Sequence, residues 1–507
     1  MQMRVYRILP IGAGPHSRFT SAPIGAHTGT SPMARLHDRL TEEIRTGPSG
    51  PKVAALFDLD QTLLSGFSAS AFFRERLVSG RMAPREIAES LLGTLSFAVG
   101  RTGFSGMMSA TTAAYRGLAE SVLVEVGEEV FEKHLATQIY PESRALVEAH
   151  QAAGHTVAIV SSATPYQADP LARELGIEHV LCTRLEVEDG IFTGGVVRPT
   201  CWGEGKADAA RELARAYDLD LSQSYFYTDS HEDLPLLDLV GRPRPLNPNR
   251  ELAQVAKERR WPVRRFTSRG RPSAGDLVRT GLVYASLVPS VVAGVAAGLV
   301  TGSQREAVNV AGGVWGDLAT SLAGIDLRVE GEEHLWSQRP AVFIFNHQSA
   351  LDAVLMIKLL RRDMTGVAKA ELERNPLFGP LFGAAGAVFV DRANTGKAVQ
   401  ALKPAVDALR EGRSLVIAPE GTRSTTPRLG RFKKGAFHMA MQACVPIVPV
   451  VFRNVLDALP KDATVVRPAT VEAIVLPPVD TSDWTREALD EEIRRIRQQY
   501  LEVLDQA

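Results

Sequence analysis

Cysteine is scarce in this chain. Its three residues, Cys182, Cys201 and Cys444, stand apart with no paired spacing. That excludes a disulfide framework and a cysteine-built zinc site, and it suits a reduced, cytoplasmic setting. A charge excess of either sign is also missing. With 57 Lys and Arg against 58 Asp and Glu the formal charge is -1, which argues against a general nucleic-acid-binding protein. The N-terminal stretch lacks the continuous apolar run that a secretion signal needs. Ile8–Ile11 is short and interrupted by Pro10, so a tail is expected there and not an export address. Residues 1–51 are rich in Gly, Pro, Ser and Thr and show no sustained periodicity; a mobile tail is expected, with one short amphipathic helix near Pro32–Arg45. At 507 residues the chain has room for roughly two to four domains.

What the sequence does have is a set of apolar runs, each ending in chemistry. Ala341–Phe345 reads as a buried strand and delivers Asn346-His347-Gln348-Ser349-Ala350-Leu351-Asp352. A neutral imidazole can take a proton from an alcohol, and a carboxylate beside it fixes the tautomer and stabilises the imidazolium. Five residues apart is not one helix face, so the two meet only if His347 lies on the turn itself. Taken alone, the pair suits a capped helix start equally well.

Three later stretches tip the balance. They are Gly386–Arg392, then Pro419-Glu420-Gly421-Thr422-Arg423-Ser424 after the run Leu415–Ala418, then Val445–Val450. In order and spacing the four blocks resemble the glycerolipid acyltransferase family that includes 1-acylglycerol-3-phosphate acyltransferase, over roughly Asp326 to Leu476. The resemblance implies that His347 deprotonates the acceptor hydroxyl for attack on an acyl thioester and that Asp352 supports it. It also implies that Glu420, Gly421, Thr422 and Arg423 form the acceptor site, where the arginine fork suits a phosphate. Ala418 replaces the family's usual aromatic. The basic residues Arg428, Arg431, Lys433 and Lys434 add charge near this turn, for acceptor phosphate or lipid headgroups or simply as a solvated face.

A second set lies upstream. Val53–Phe57 reads as a buried strand delivering Asp58-Leu59-Asp60, two carboxylates pointing the same way. His155–Val160 ends at Ser161-Ser162, Lys206 opens a helical pattern, and Tyr225–Thr228 leads into Asp229-Ser230-His231-Glu232-Asp233. Individually these are strand-end hydroxyls, solvated lysines and turn acids. As an ordered set over about Val53 to Asn249 they resemble the haloacid dehalogenase superfamily in its phosphoserine-phosphatase-like branch. The resemblance makes Asp58 a nucleophile that becomes an aspartyl phosphate and Asp60 the acid/base. It places Mg2+ among Asp58, Asp60 (through its backbone oxygen), Asp229 and Asp233, with Ser161 and Lys206 on the phosphoryl group. The serine-specific members carry a Glu nine residues after the nucleophile, where this chain has Phe67. That favours a more apolar substrate, or else Phe67 packs the cap. About a hundred residues separate Asp60 from Ser161, and the helical patterning of Met82–Leu118 suggests a cap over about 65–145.

Between the two sets the composition shifts. A basic cluster from Lys257 to Arg279 precedes Thr280–Gln304, which has no Asp, Glu, His, Lys or Arg and is long enough for a span of about 20 residues. Pro289, Gly294 and Gly298 weaken a simple helix. A single span would also put the two sites on opposite sides of a bilayer. The preferred reading of 280–325 is therefore a hairpin, returning through Ala307–Ile325, on the cytoplasmic face of the cell membrane, with the basic cluster on anionic lipid. A buried helix pair is the alternative.

The expected architecture is α/β throughout. A tail (1–51) precedes a Rossmann-like haloacid dehalogenase domain with a helical cap (52–249). A basic linker with hydrophobic membrane helices (250–325) leads to an α/β glycerolipid acyltransferase domain (326–507). The expected function is acyl transfer from acyl-CoA or acyl-ACP (an acyl carrier protein) to lysophosphatidate, giving phosphatidate, together with magnesium-dependent phosphomonoester hydrolysis. Two rivals stand beside it: a phosphatase of a soluble phosphomonoester such as phosphoserine with an anchoring C-terminal half, and an N-terminal half that only binds a phosphorylated ligand.

Overall fold

The computed structural model describes residues 6–7, 41–82, 88, 103–375, 378–390 and 403–506. The expected helix near 32–45 lies mostly outside them, as do the apolar middle of the cap at 91–99, Asp391 and Arg392. The chain forms two units, Met1–Arg271 and Pro272–Ala507.

In the first unit, strands β1 (Tyr6–Arg7), β2 (Ala54–Phe57), β3 (Thr156–Ser161), β4 (His179–Cys182), β7 (Tyr225–Thr228) and β8 (Arg242–Pro245) form one sheet in the order β1-β4-β3-β2-β7-β8. All neighbours run parallel except β1, which pairs antiparallel at the β4 edge. A separate hairpin joins β5 (Leu185–Glu188) and β6 (Ile191–Val196). Both faces of the sheet are covered, so its strands read as continuous apolar runs. Alternation then sorts them. Ala55, Phe57, Ile159, Tyr225 and Tyr227 pack on one side, Ala54, Leu56, Ala158, Val160 and Phe226 on the other. Helices Ser68–Val78, Phe104–Ala113 and Glu120–Val130 fall within the expected cap.

Residues 41–51 differ from the expected mobile tail. Ile44 is buried in the core, Glu43 pairs with Arg242 and Arg244, and the Pro48 carbonyl accepts from His155 at 2.8 Å. The segment is held because buried polar groups that need partners lie under it, the His150–His155 pair between helix Pro141–Ala152 and β3 among them. Arg250–Arg259 forms a helix that buries Leu252 and Ala256 within this unit, so the break in the chain comes after Arg271.

The second unit is built on seven strands. They are β9 (Ile325–Glu330), β10 (Val342–Phe345), β11 (Met364–Lys369), β12 (Val388–Val390), β13 (Ser414–Ile417), β14 (Ile447–Arg453) and β15 (Ala469–Val475), in the order β12-β11-β13-β10-β14-β15-β9. The first five in that order are parallel. β15 runs against β14, and β9 runs with β15. Phe343, Phe345, Val448, Val450 and Phe452 face one core, Val342, Ile344, Ile447 and Val451 the other.

Ahead of the sheet, helices Ala274–Ala285 and Leu287–Thr301 make a 28-residue apolar element, long enough to cross a membrane by length and composition, with 28 % of its most apolar stretch buried. Leu277, Val278, Leu282, Val288, Val292, Val295, Leu299 and Val300 are exposed. The alternative of a buried helix pair does not describe this face. The element turns at Gly302 and is followed by helix Gln304–Ala323, whose Gly316 lies against Lys358 of the second unit. The glycines have a specific use here. A Cβ on Gly294 would come within 2.5 Å of the Ala307 carbonyl oxygen and 2.7 Å of Ala311 Cβ, and one on Gly298 within 2.9 Å of Ala307 Cβ. They let two helices approach closely, as small residues do in packed pairs. Pro289 lies in the first turn after the break at Ser286, where a missing N–H costs little. Asp317 faces Lys358 and Arg361, each at 2.9 Å.

Candidate functional sites

In the first unit the carboxyl ends of β2, β3 and β7 bring the expected residues together, the usual place for ligands in an open parallel sheet. The Asp58 N–H donates to the Tyr227 carbonyl at 2.9 Å, fixing the end of β2 beside β7. Lys206, buried at the start of helix Glu204–Tyr217, donates to Asp58 Oδ1 at 2.9 Å and to Asp233 Oδ2 at 2.8 Å. Thr228 Oγ1 also donates to Asp233 Oδ2, at 2.6 Å. Ser161 is buried at the end of β3, its hydroxyl accepting from the Ala163 N–H at 3.2 Å. Asp60 accepts from the Ser68 N–H at 2.8 Å and the Ser68 hydroxyl at 3.2 Å, capping helix Ser68–Val78 from a distance.

These acids are crowded. Burial raises the pKa of Asp58, partly offset by Lys206 and increased again by Asp233. Burial and the Asp58 and Asp233 charges lift Asp229 to about 8. Burial lifts Asp60 to about 7 against the opposing Ser68 N–H. Burial pulls Lys206 down, but Asp233 and Asp58 outweigh it and the ammonium is held above its ordinary value. Among the described residues no three His, Cys, Asp or Glu side chains converge as a metal cage. A magnesium ion needs fewer, since it keeps waters and takes one or two carboxylates. Asp58 and Asp229 suit that role, because the Asp58 charge helps to raise the pKa of Asp229 in the absence of a cation. Asp233, expected as a metal ligand, carries a further contact. The Oδ2 atom of its carboxylate is engaged by Lys206 and Thr228, so it braces the lysine.

Phe67 is not buried among the described residues. It is 61 % exposed, next to the Ser68 that holds Asp60. Phe104 stacks on Trp202 at 4.5 Å, and Ser105 Oγ meets Thr200 Oγ1 at 2.7 Å, tying a cap helix to the loop before Lys206.

In the second unit the strand-to-helix turn after β10 places His347 outside the helix, which begins at Leu351. Its Nδ1 lies 2.8 Å from Asp352 Oδ2. The same Oδ2 accepts from the N–H groups of Gln348 at 2.8 Å and Ser349 at 2.9 Å. Asp352 is fully buried, and the His347 side chain is 22 % exposed. A carboxylate at Nδ1 keeps the proton there and leaves Nε2 as the basic, outward atom.

Glu420 has a different part from the expected acceptor contact. Its Oε1 accepts from the His347 N–H and its Oε2 from the Gly430 N–H, both at 2.8 Å, and burial raises its pKa. It positions the histidine backbone. Gly421 sits at φ +75°, which suits glycine. Thr422 is exposed. The Ser424 N–H donates to the His347 carbonyl at 2.8 Å, so this loop lies against the histidine, and Arg423 between them pairs with Asp462 at 3.1 Å.

Two supports were not expected. The Asn346 amide donates to the Phe452 carbonyl at 2.8 Å and accepts from the Phe452 N–H at 2.7 Å, clamping the end of β10 to β14. Tyr500 reaches in from helix Leu489–Val503, donating to the Ile344 carbonyl at 2.8 Å and accepting from the Val450 N–H at 3.2 Å, beside Pro449, which has no N–H to give. Asn346 lies in the quoted block and had a local signal; Tyr500 had none.

Comparison with known proteins agrees with both halves. Residues 55–238 match the haloacid dehalogenase-like hydrolase family and residues 326–453 the acyltransferase family. A 1-acyl-sn-glycerol-3-phosphate acyltransferase of Limnanthes douglasii is 37 % identical over 194 residues, covering 38 % of this chain and 68 % of that protein. The inhibition of morphological differentiation protein of Streptomyces azureus is 33 % identical over 270 residues, 52 % of this chain and 96 % of that one. Phosphoserine phosphatase SerB1 of Mycobacterium tuberculosis is 35 % identical over 254 residues, 48 % and 82 %.

Proposed function

Because the chain belongs to two enzyme families, the haloacid dehalogenase-like hydrolases in its first half and the 1-acylglycerol-3-phosphate type of acyltransferases in its second, we propose one protein that acylates lysophosphatidate and hydrolyses a phosphomonoester. The observation that carries the first activity is the buried Asp352 carboxylate at His347 Nδ1. With the acceptor bound, Nε2 takes the hydroxyl proton as the oxygen attacks the thioester carbonyl of acyl-CoA or acyl-ACP. The carbon–sulfur bond breaks, and the thiolate leaves with the proton from the imidazolium. Arg423 would exchange its exposed partner Asp462 for the acceptor phosphate.

For the hydrolase, Asp58 would attack the phosphorus and Asp60 would protonate the leaving alcohol. A carboxyl lifted to about 7 suits a group that must give and then take a proton near neutrality. Water would then cleave the aspartyl phosphate with Asp60 as base. Magnesium, held by Asp58, Asp229 and the Asp60 carbonyl, would offset phosphoryl charge that Lys206 and Ser161 also meet. The exposed Phe67 beside Asp60 supports a lysophosphatidate-type lipid over phosphoserine. The exposed face of residues 274–301 and the family's lipid substrates support attachment to the cytoplasmic face of the cell membrane, on anionic lipid. Acyl transfer and phosphate release, each measured on purified protein with a panel of acceptors, donors and phosphomonoesters, test the reading. Phosphoserine outperforming every lipid would remove the lipid assignment of the hydrolase and favour the soluble-metabolite reading, which the likeness to phosphoserine phosphatase SerB1 supports.

A further inference from the structure

Gly421 has a cation lying across it. A Cβ built on this residue would come 2.8 Å from Lys433 Nζ, 3.0 Å from Cε and 3.1 Å from Cδ. The lysine backbone is fixed to the same turn, its N–H donating to the Pro419 carbonyl at 2.8 Å. Three of the neighbouring cations have partners. Arg423 pairs with Asp462, Lys434 with Asp490, and Arg497 donates to the carbonyls of Leu429 and Gly430. Lys433 is exposed and has no carboxylate partner among the described residues; the acid of the turn, Glu420, is engaged by two backbone N–H groups.

We propose that Lys433 binds the acceptor phosphate together with Arg423, an inference that rests on the acyl-transfer reading of this site. Gly421 and Arg423 are two residues apart, so their Cα atoms lie within about 7.6 Å. An ammonium folded over one and a guanidinium carried by the other are within reach of one dianion. The two donors are complementary: arginine offers a planar fork, and lysine a compact charge that turns freely. The same loop touches His347 twice, through Glu420 and through the Ser424 N–H. That matches an acceptor whose hydroxyl and phosphate are separated by two carbons and an ester oxygen. It also gives the glycine a second reason: a side chain at 421 would occupy the space that Lys433 crosses.

The test uses the full chain. Lys433→Met keeps the stem that covers the turn and removes the charge; Lys433→Arg keeps the charge; Lys434→Met alters a neighbouring cation that already has a partner. Acyl transfer to lysophosphatidate in mixed micelles is measured across acceptor concentration, with a thermal melt for each variant. The expected result is a KM about tenfold higher for Lys433→Met with kcat within about twofold, most of it recovered by Lys433→Arg, and no change for Lys434→Met. An unchanged KM in Lys433→Met overturns the inference while leaving the acyltransferase reading intact. So does a loss that Lys433→Arg fails to recover and that comes with a lowered melt, which would make Lys433 a structural cover. A wild-type protein that acylates no lysophosphatidate defeats the acyltransferase reading and the inference with it.

Discussion

Replacing Asp352 by Asn isolates one quantity, the charge behind the proposed base. All three N–H donors converge on Oδ2, while Oδ1 is buried with no partner among the described residues. An asparagine can put its carbonyl oxygen in the Oδ2 position and its NH2 in the empty one, so the turn keeps its shape. The imidazolium that forms at His347 then loses its counter-charge. Two unit charges about 4 Å apart attract by about 4 kcal/mol at an effective dielectric near 20. The neutral hydrogen bond that remains returns about 1 kcal/mol. A net loss of about 2–3 kcal/mol in the transition state corresponds to a kcat lower by about 30- to 150-fold. The unpaired NH2 costs about 1–3 kcal/mol of stability, so the assay is run below the melting range of the variant. Thiol release from acyl-CoA in the presence of lysophosphatidate reads the rate. A folded Asp352→Asn variant within threefold of wild type would refute the assignment of His347 as a base that depends on this carboxylate.

Other consequences follow from the same geometry. Asp58→Asn should reduce phosphate release to background while acyl transfer stays within about twofold, because the two sites belong to separate units with no shared residues; a phosphomonoester assay and a thiol-release assay on one preparation check both. Asp462→Asn should free Arg423 and lower the KM for lysophosphatidate by up to about fivefold, since an exposed ion pair is worth about 0.2–1 kcal/mol. The His150–His155 pair predicts an acid-sensitive fold. Burial, with His155 beside it, holds His150 well below its ordinary pKa, and burial also lowers His155. The unfolded chain therefore takes up protons first as pH falls through about 6.5, and stability drops by up to about 1.4 kcal/mol per pH unit per histidine. Buried acids such as Asp60 act in the opposite sense but are common to both proteins compared. Melting of the first unit at pH 7.5 and 5.5 should show a larger acid loss in wild type than in His150→Asn, and equal losses would contradict the prediction.

The sequence displayed what is local. Apolar runs of four to six residues ending in Asp, Ser, Thr or Asn-His become strands whose carboxyl ends carry those residues, as burial on both faces favours. The requirement that His347 lie on the turn itself is met by a helix that starts at Leu351. Hidden from the sequence was what joins residues distant in the chain. Tyr500 acts on Ile344 from 156 positions away, and no periodicity marks a helix residue whose hydroxyl completes a sheet. Glu420 and Asp233 sit within their motifs as expected, but motif membership does not say which atom a carboxylate meets. Glu420 meets backbone N–H groups, and Asp233 meets Lys206 and Thr228. Gly294 and Gly298 look like helix breakers until the partner helix is in place. Residues 41–51 look like tail until the buried groups they satisfy are seen.

The most direct test of two activities in one chain is a single incubation of purified protein with magnesium, acyl-CoA and 1-acyl-sn-glycerol 3-phosphate, following phosphatidate and inorganic phosphate together. Wild type should form both, His347→Ala only phosphate, and Asp58→Asn only phosphatidate. Phosphatidate formed at the wild-type rate by His347→Ala would contradict the account.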